Sequence, residues 1–295
     1  MAESEHRLGV ALAIVAAFGF SFKAILIKLA YPYGVQPITL LALRMVFALP
    51  AFVWVGFSAS RNMPPLSRRD WLTVAVLGLF GYYGASILDF LGLQYISAGL
   101  ERLILFTYPT LTLLFGVVIN RKSITPRQWV ALALCYAGIA AAFAHDLEIS
   151  ADVAAVWLGA AFVFGSSVSY AIYLTGSGGM IARLGAARFT ALAMLVSTAA
   201  IFGQFAATRP LAALIQPWPV YAYAIGMGVL STVVPVFAQS AAIRRIGSGE
   251  AALIGMVGPL LTIVFAWLLL DEGFSVPQMV GTALVIAGVA IVSRR

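Results

Sequence analysis

Two lysines, Lys23 and Lys28, lie in the stretch FGFSFKAILIK at residues 18–28, where nearly every neighbour is apolar. They are separated by about 140° around a helix, so they do not share a face. Lys28 is close to the end of the apolar run, where its long stem lets the ammonium reach the polar surface. Lys23 is deeper, and a deep ammonium requires an anionic partner or a wet cavity.

Other charged residues also fall within or at the edge of apolar segments. The predicted charge network consists of Lys23, Arg44, Asp89, Glu101 and Arg102. One interpretation is an ion-pair cluster that joins helices, with Asp89 bound to Arg44 or Lys23. The other is an outer gate, or a group that binds a substrate carboxylate, with Lys23 as the first candidate. Glu250 opens a later segment, where it favours the helix dipole or contacts a substrate ammonium.

The composition indicates the environment of these charges. The chain has 295 residues, of which 62% are hydrophobic and 10% charged, with a mean hydropathy of +0.99. Soluble domains carry about 25% charged residues. We therefore predict an all-α integral membrane protein. The single cysteine, Cys135, excludes an internal disulfide and a zinc cluster.

Apolar segments of spanning length recur along the whole chain, separated by short loops rich in Gly, Pro and Ser. The first is interpreted as a retained helix, because MAESEHR is not a clean basic leader. We predict ten transmembrane helices, at 8–31, 36–57, 71–94, 96–119, 127–144, 153–175, 186–207, 218–241, 246–270 and 276–293.

The basic residues predict the orientation. With the N-terminus in the cytoplasm, 13 of the 18 lysines and arginines fall on the cytoplasmic side and one, Arg209, falls outside. Because loops rich in Lys and Arg stay in the cytoplasm, both termini are predicted to be cytoplasmic. The same rule accounts for the net charge of +7 without a nucleic-acid partner.

The sequence also repeats. Residues 95–140 match 245–290 at 15 of 46 positions without a gap, including Pro109 with Pro259. Each half, 1–147 and 148–295, then holds five helices. Because five is odd, the second half enters the membrane inverted, as in many secondary transporters.

This organisation resembles the drug/metabolite transporter superfamily, in its EamA-type branch. The resemblance extends over the whole chain and is carried by the two five-helix halves and by GSGEAALIGMVGPLLTIVFAWLLLDE. In the first half, SAGLERLILFTYP has bulky residues where that stretch has small ones. Within the branch the chain is most similar to bacterial inner-membrane amino-acid exporters of the YddG type. The resemblance implies a cofactor-free carrier, expected to be monomeric, that exports neutral or aromatic amino acids by alternating access.

Polar and aromatic residues inside the spans are candidates for a substrate cavity that is apolar with a few polar groups. They are Phe18, Phe22, Lys23, Tyr82, Tyr83, Ser86, Phe106, Trp157, Ser166, Ser169, Tyr170, Tyr173, Gln239, Ser240 and Met256. Pro109 and Pro259 are predicted in mid-helix, where a missing backbone hydrogen bond permits a hinge.

Two further functions compete with amino-acid export. Cationic drug efflux, in the same superfamily, usually requires an acidic residue deep in the cavity to attract the cation. Here the charged residues inside the apolar segments are mostly positive. A membrane-embedded enzyme or assembly factor is the alternative from another class. The sequence lacks the motifs GxxxxGK[ST], HExxH and GxSxG, so we expect no enzyme and no ATP drive.

Overall fold

The computed structural model describes residues 2–120, 125–149, 151–255, 257–273 and 275–293, and every regular element in these ranges is helical. The α-helices are α1 (Ala2–Ala30), α2 (Pro37–Ser60), α3 (Arg68–Gly78), α4 (Ala85–Gly92), α5 (Ala98–Leu105), α6 (Tyr108–Asn120), α7 (Pro126–Ile149), α8 (Val153–Leu184), α9 (Ala186–Thr208), α10 (Trp218–Gly228), α11 (Val234–Gly255), α12 (Gly258–Leu270) and α13 (Val276–Ser293).

The helices have the length and the surface of membrane-spanning segments. Seven helical stretches within the described residues are long and apolar enough to cross a membrane, and two shorter apolar helices lie at Gly258–Leu270 and Val276–Ile291. Large apolar side chains face outward, including Trp54 at 72% exposure and Phe57 at 70%. Such a surface is compatible with lipid rather than water.

Two predicted loops are helical. The stretch GSGG at 176–179 was expected to end the sixth span, but α8 continues to Leu184. Gly176 packs against Leu77, and Ser177 donates a hydrogen bond to the Leu174 carbonyl, so local packing outweighs the low helix propensity of glycine. The predicted boundary at 242–245 also lies inside a helix, α11, where Arg245 binds Glu5 of α1 at 3.1 Å.

Two predicted spans are each broken into two separate helices. The fourth is divided into α5 and α6 at Phe106–Thr107, and the ninth is shared between the end of α11 and α12. The mid-helix placement of Pro109 and Pro259 is therefore wrong, because each is the second residue of a new helix. Proline lacks an N–H, and it is tolerated in a first turn where that donor has no partner within the helix.

Wide helical turns interrupt two spans at corresponding places. A π-helical turn at Leu79–Gly84 joins α3 to α4, and another at Val229–Val233 joins α10 to α11. Their first residues are 150 positions apart, the same offset as in the sequence match. π-helical turns are rare and are frequently found at functional sites.

Close helix packing holds α7 against α13. A methyl group on Gly138 would overlap the carbonyl oxygen of Gly281, and one on Gly288 would lie 2.5 Å from Cys135 Sγ. Glycines permit this approach of two backbones, which is the usual means of packing helices in lipid.

Candidate functional site

A cavity of about 490 Å³ lies inside the bundle, walled by residues from both halves of the chain. Its described wall is aromatic and hydroxyl-rich, with three basic side chains and neither Asp nor Glu. The polar and aromatic members are Phe20, Ser21, Lys23, Arg44, Tyr82, Ser86, Arg102, Phe106, Tyr108, Ser166, Tyr170, Thr190, Ser231, Thr232 and Gln239. This is the composition expected where a small organic solute binds.

Seven of the predicted cavity residues lie on this wall. They are Lys23, Tyr82, Ser86, Phe106, Ser166, Tyr170 and Gln239, and the hinge candidate Pro109 lies beside them.

Other candidates lie elsewhere. Phe18 and Trp157 are 50% and 59% exposed, on the outside of the bundle. Their rings pack edge-on against Phe265 and Phe143, and Phe22 also packs against Phe265.

The remaining candidates do not line the cavity or cannot be placed. Tyr83 is half-buried in the first π-helical turn, while Ser169 and Tyr173 pack behind the wall. The side chain of Ser240 and the whole of Met256 are outside the described residues, as is the Glu250 side chain.

Lys23 forms an ion pair with Asp89. The distance from Lys23 Nζ to Asp89 Oδ2 is 2.5 Å, and the side chains are 19% and 1% exposed. Of the two partners predicted for Asp89, the structure therefore has Lys23. Lys23 also lines the cavity, so the ion pair joins α1 to α4 beside the wall.

Arg102 donates hydrogen bonds to two other helices. Its Nη2 donates to the Phe20 carbonyl at 2.6 Å, and its Nε donates to Thr262 Oγ1 at 3.1 Å. Its neighbour Glu101 is fully buried, and the Glu101 carboxylate lies 3.9 Å from Arg102 Nε. These contacts join α5 to α1 and α12, and they supply the buried guanidinium with polar partners.

Arg44 has a different environment. It is 5% exposed, lies on the cavity wall, and has no carboxylate within 4.0 Å among the described residues. Its Nε has no hydrogen-bond partner in the described part of the chain. The guanidinium lies over the ring of Phe90, 5.5 Å from its centroid, in a cation–π contact.

The π-helical turns shape one side of the cavity. A wide turn leaves carbonyls without their usual partners, and hydroxyl groups bind them here. Ser169 donates to the Phe80 carbonyl at 2.7 Å, and Thr232 donates to the Met227 carbonyl at 2.8 Å. Thr232 lines the wall but was not predicted to do so, although Tyr82, its counterpart at the offset of 150 residues, was a candidate.

Polar contacts join the helix ends on the side predicted to be extracytoplasmic. The Glu272 carboxylate accepts hydrogen bonds from the Ala98 N–H, with both oxygens at 3.1 Å, and lies 4.0 Å from Lys28 Nζ. Asp146 accepts from Ser97 Oγ at 2.7 Å and from Gln278 Nε2 at 3.2 Å. Burial raises the pKa of Glu272, and the Lys28 ammonium and the backbone amides oppose that effect.

A bundle of apolar helices around a polar, solute-sized cavity is typical of membrane transporters. The profile of the EamA-like transporter family matches residues 7–144 and again residues 157–294. The chain belongs to this family.

Its relatives are transporters by name. Uncharacterized transporter YcbK of Bacillus subtilis is 31% identical over 286 residues, which cover 94% of this chain and 90% of the relative. An uncharacterized transporter of Archaeoglobus fulgidus is 22% identical, over 97% of this chain and 98% of the relative. One crystal structure has the same fold, with a TM-score of 0.68 at 15% identity over 96% of this chain and 95% of that one.

Proposed function

We propose that the protein is a secondary transporter that exports small metabolites across the bacterial cytoplasmic membrane by alternating access. Neutral and aromatic amino acids are the first candidates. The observation that carries the proposal is the cavity of about 490 Å³, with aromatic rings, hydroxyl groups and buried cations, inside a membrane bundle. Apolar rings contact a hydrophobic side chain, while the polar groups orient its charged end.

An inverted repeat of 1–147 and 148–295 would supply the alternation. The two matches to one family profile and the two π-helical turns at the same offset support this organisation. Related halves of opposite orientation can exchange conformations, which opens the cavity first to one side and then to the other.

The polar contacts of Glu272 and Asp146 support an arrangement closed to the outside. They join the N-terminus of α5 to the segment after α12 and to α13, and so connect the two halves at one end. Opening toward the outside then requires these hydrogen bonds to break.

Cationic drug efflux is disfavoured by the charge of the wall. Lys23, Arg44 and Arg102 all reach it, and no carboxylate does so among the described residues. A cationic drug would be repelled, because attraction and repulsion between charges are strong in a low-dielectric interior.

Flux in proteoliposomes tests the proposal. Vesicles with the purified protein, preloaded with unlabelled tryptophan, should accumulate labelled tryptophan by counterflow, and leucine and phenylalanine should compete. Tyr170→Ala alters the cavity wall and should slow exchange, whereas Trp157→Ala, on the outer surface, should leave it unchanged. Flux no higher than in empty vesicles for every standard amino acid would reject amino-acid export.

A further inference from the structure

The buried cations of the bundle differ in the partners that surround them. Lys23 is neutralised by Asp89, and Arg102 is bound by a carbonyl, a hydroxyl and the nearby Glu101. Arg44 has no such anion within salt-bridge distance among the described residues. Three cations and two carboxylates leave one cation over, and by these distances it is Arg44.

An unpaired buried guanidinium is costly. Arginine stays protonated in proteins, so it cannot escape the cost of burial by losing its proton. A cation–π contact with Phe90 compensates in part. Its five N–H donors form a planar fork that matches a carboxylate, and the cavity gives an incoming anion access to it.

We propose that Arg44 is the receptor for the carboxylate of the transported solute, which completes an ion pair that the protein leaves open. This rests on the proposed transport function and specifies its substrate class. The solute is an organic carboxylate with an aromatic or apolar body, since Tyr82, Phe106 and Tyr170 supply rings around the remaining space.

The wall makes a second distinction between solutes. It has no Asp or Glu within the described ranges, so a substrate ammonium finds hydroxyl groups and Gln239 but no opposite charge. The carboxylate is therefore required and the ammonium is not. An aromatic acid without an amine should bind at least as well as the corresponding amino acid, and an amine without a carboxylate should bind poorly.

Three probes that share an indole ring test the requirement for a carboxylate in the wild-type protein. Indole-3-propionate carries only the carboxylate, tryptophan carries both charges, and tryptamine carries only the ammonium. In detergent, thermal stabilisation and equilibrium binding of labelled probe should give an affinity for indole-3-propionate at least tenfold higher than for tryptamine. Equal or stronger binding of tryptamine would overturn the proposal without any mutation.

Substitutions of Arg44 test whether this residue causes the preference for carboxylates. Arg44→Gln should weaken binding of the two carboxylates by about tenfold to a hundredfold, the contribution of a charge-assisted hydrogen bond, and should leave tryptamine unchanged. Arg44→Lys should retain part of the affinity, because it keeps the charge but loses the fork. If Arg44→Gln does not fold, Arg44→Lys and the wild-type ranking still decide the question.

Arg188 offers a matched control. It is also buried, at 4% exposure, but it donates to Ser60 Oγ and to the Pro64 carbonyl and does not line the cavity. Arg188→Gln should reduce stability and leave the ranking of the three probes intact. A carboxylate preference that survives in Arg44→Gln, or disappears in Arg188→Gln, would show that Arg44 is not the receptor.

Binding and transport are measured separately, so the two proposals fail differently. Carboxylate binding that depends on Arg44, without flux in vesicles, would reject transport and keep the receptor. Amino-acid flux with full activity in Arg44→Gln would keep transport and reject the receptor.

Discussion

Replacing Lys23 with methionine separates its part in stability from its part in transport. Methionine keeps much of the length and apolar stem of lysine but removes the charge. Asp89, at 1% exposure, then loses the ammonium 2.5 Å from its Oδ2 and becomes a buried carboxylate without its partner. Removing one member of a buried pair costs about 3–5 kcal/mol of the free energy of unfolding.

The expected loss is at the lower end of that range, about 3 kcal/mol. Lys23 is 19% exposed, so cavity water screens part of the interaction. Arg44 and Arg102 also attract Asp89 and remain in the variant. The double variant Lys23→Met with Asp89→Asn carries neither member of the pair and should recover most of the lost stability.

Denaturant titration in mixed micelles gives the free energies for this double-mutant cycle. Counterflow in vesicles gives the transport rate of the same variants. Wild-type stability in Lys23→Met would refute the ion-pair argument. If its flux were also normal, Lys23 would be only a second lysine whose ammonium extends to the polar surface.

Three further predictions concern packing, closure and orientation. Gly138→Ala should cost several kcal/mol of the free energy of unfolding, because the new methyl group meets the backbone of α13. In Gly203→Ala the new methyl group meets no other atom, so this variant should be more stable by up to about 1 kcal/mol. Denaturant titration of both variants measures the difference. In a Cys135→Ala background, Ala98→Cys should react faster with an impermeant thiol reagent applied outside when Glu272→Ala is added, and an unchanged rate would contradict the outer closure. Reporters fused after Arg295 should be active only in the cytoplasm.

The sequence predicted the helices better than their interruptions. Apolar length predicted a span at 186–207, and α9 occupies Ala186–Thr208, because an apolar segment that crosses lipid must satisfy its backbone groups as a helix. The break at Phe106–Thr107 and the π-helical turns change the helical register by about one residue. A change this small leaves the hydropathy of the segment unaltered, so hydropathy does not detect it. Continuation of α8 through three glycines depends on contacts such as Gly176 with Leu77, which only the folded bundle provides.

The charged residues of the site were predicted from the sequence, but their pairing was not. Charge in an apolar segment identified Lys23, Arg44, Asp89, Glu101 and Arg102 as a group. The pairing within the group depends on side-chain directions across α1, α2, α4 and α5, so Lys23 was taken as the first candidate for a substrate carboxylate. In the structure Lys23 is paired with Asp89, and Arg44 has no carboxylate within 4.0 Å among the described residues.

The π-helical turns that begin at Leu79 and Val229 also set the direction of the helices that follow them. Such a turn is equivalent to one residue inserted into an α-helix, and it reorients every side chain that follows by roughly 100°. As a result, α4 and α11 each present to the bundle a face that an unbroken continuation of α3 or α10 would turn aside. The two turns therefore determine which side chains of α4 and α11 reach the interior.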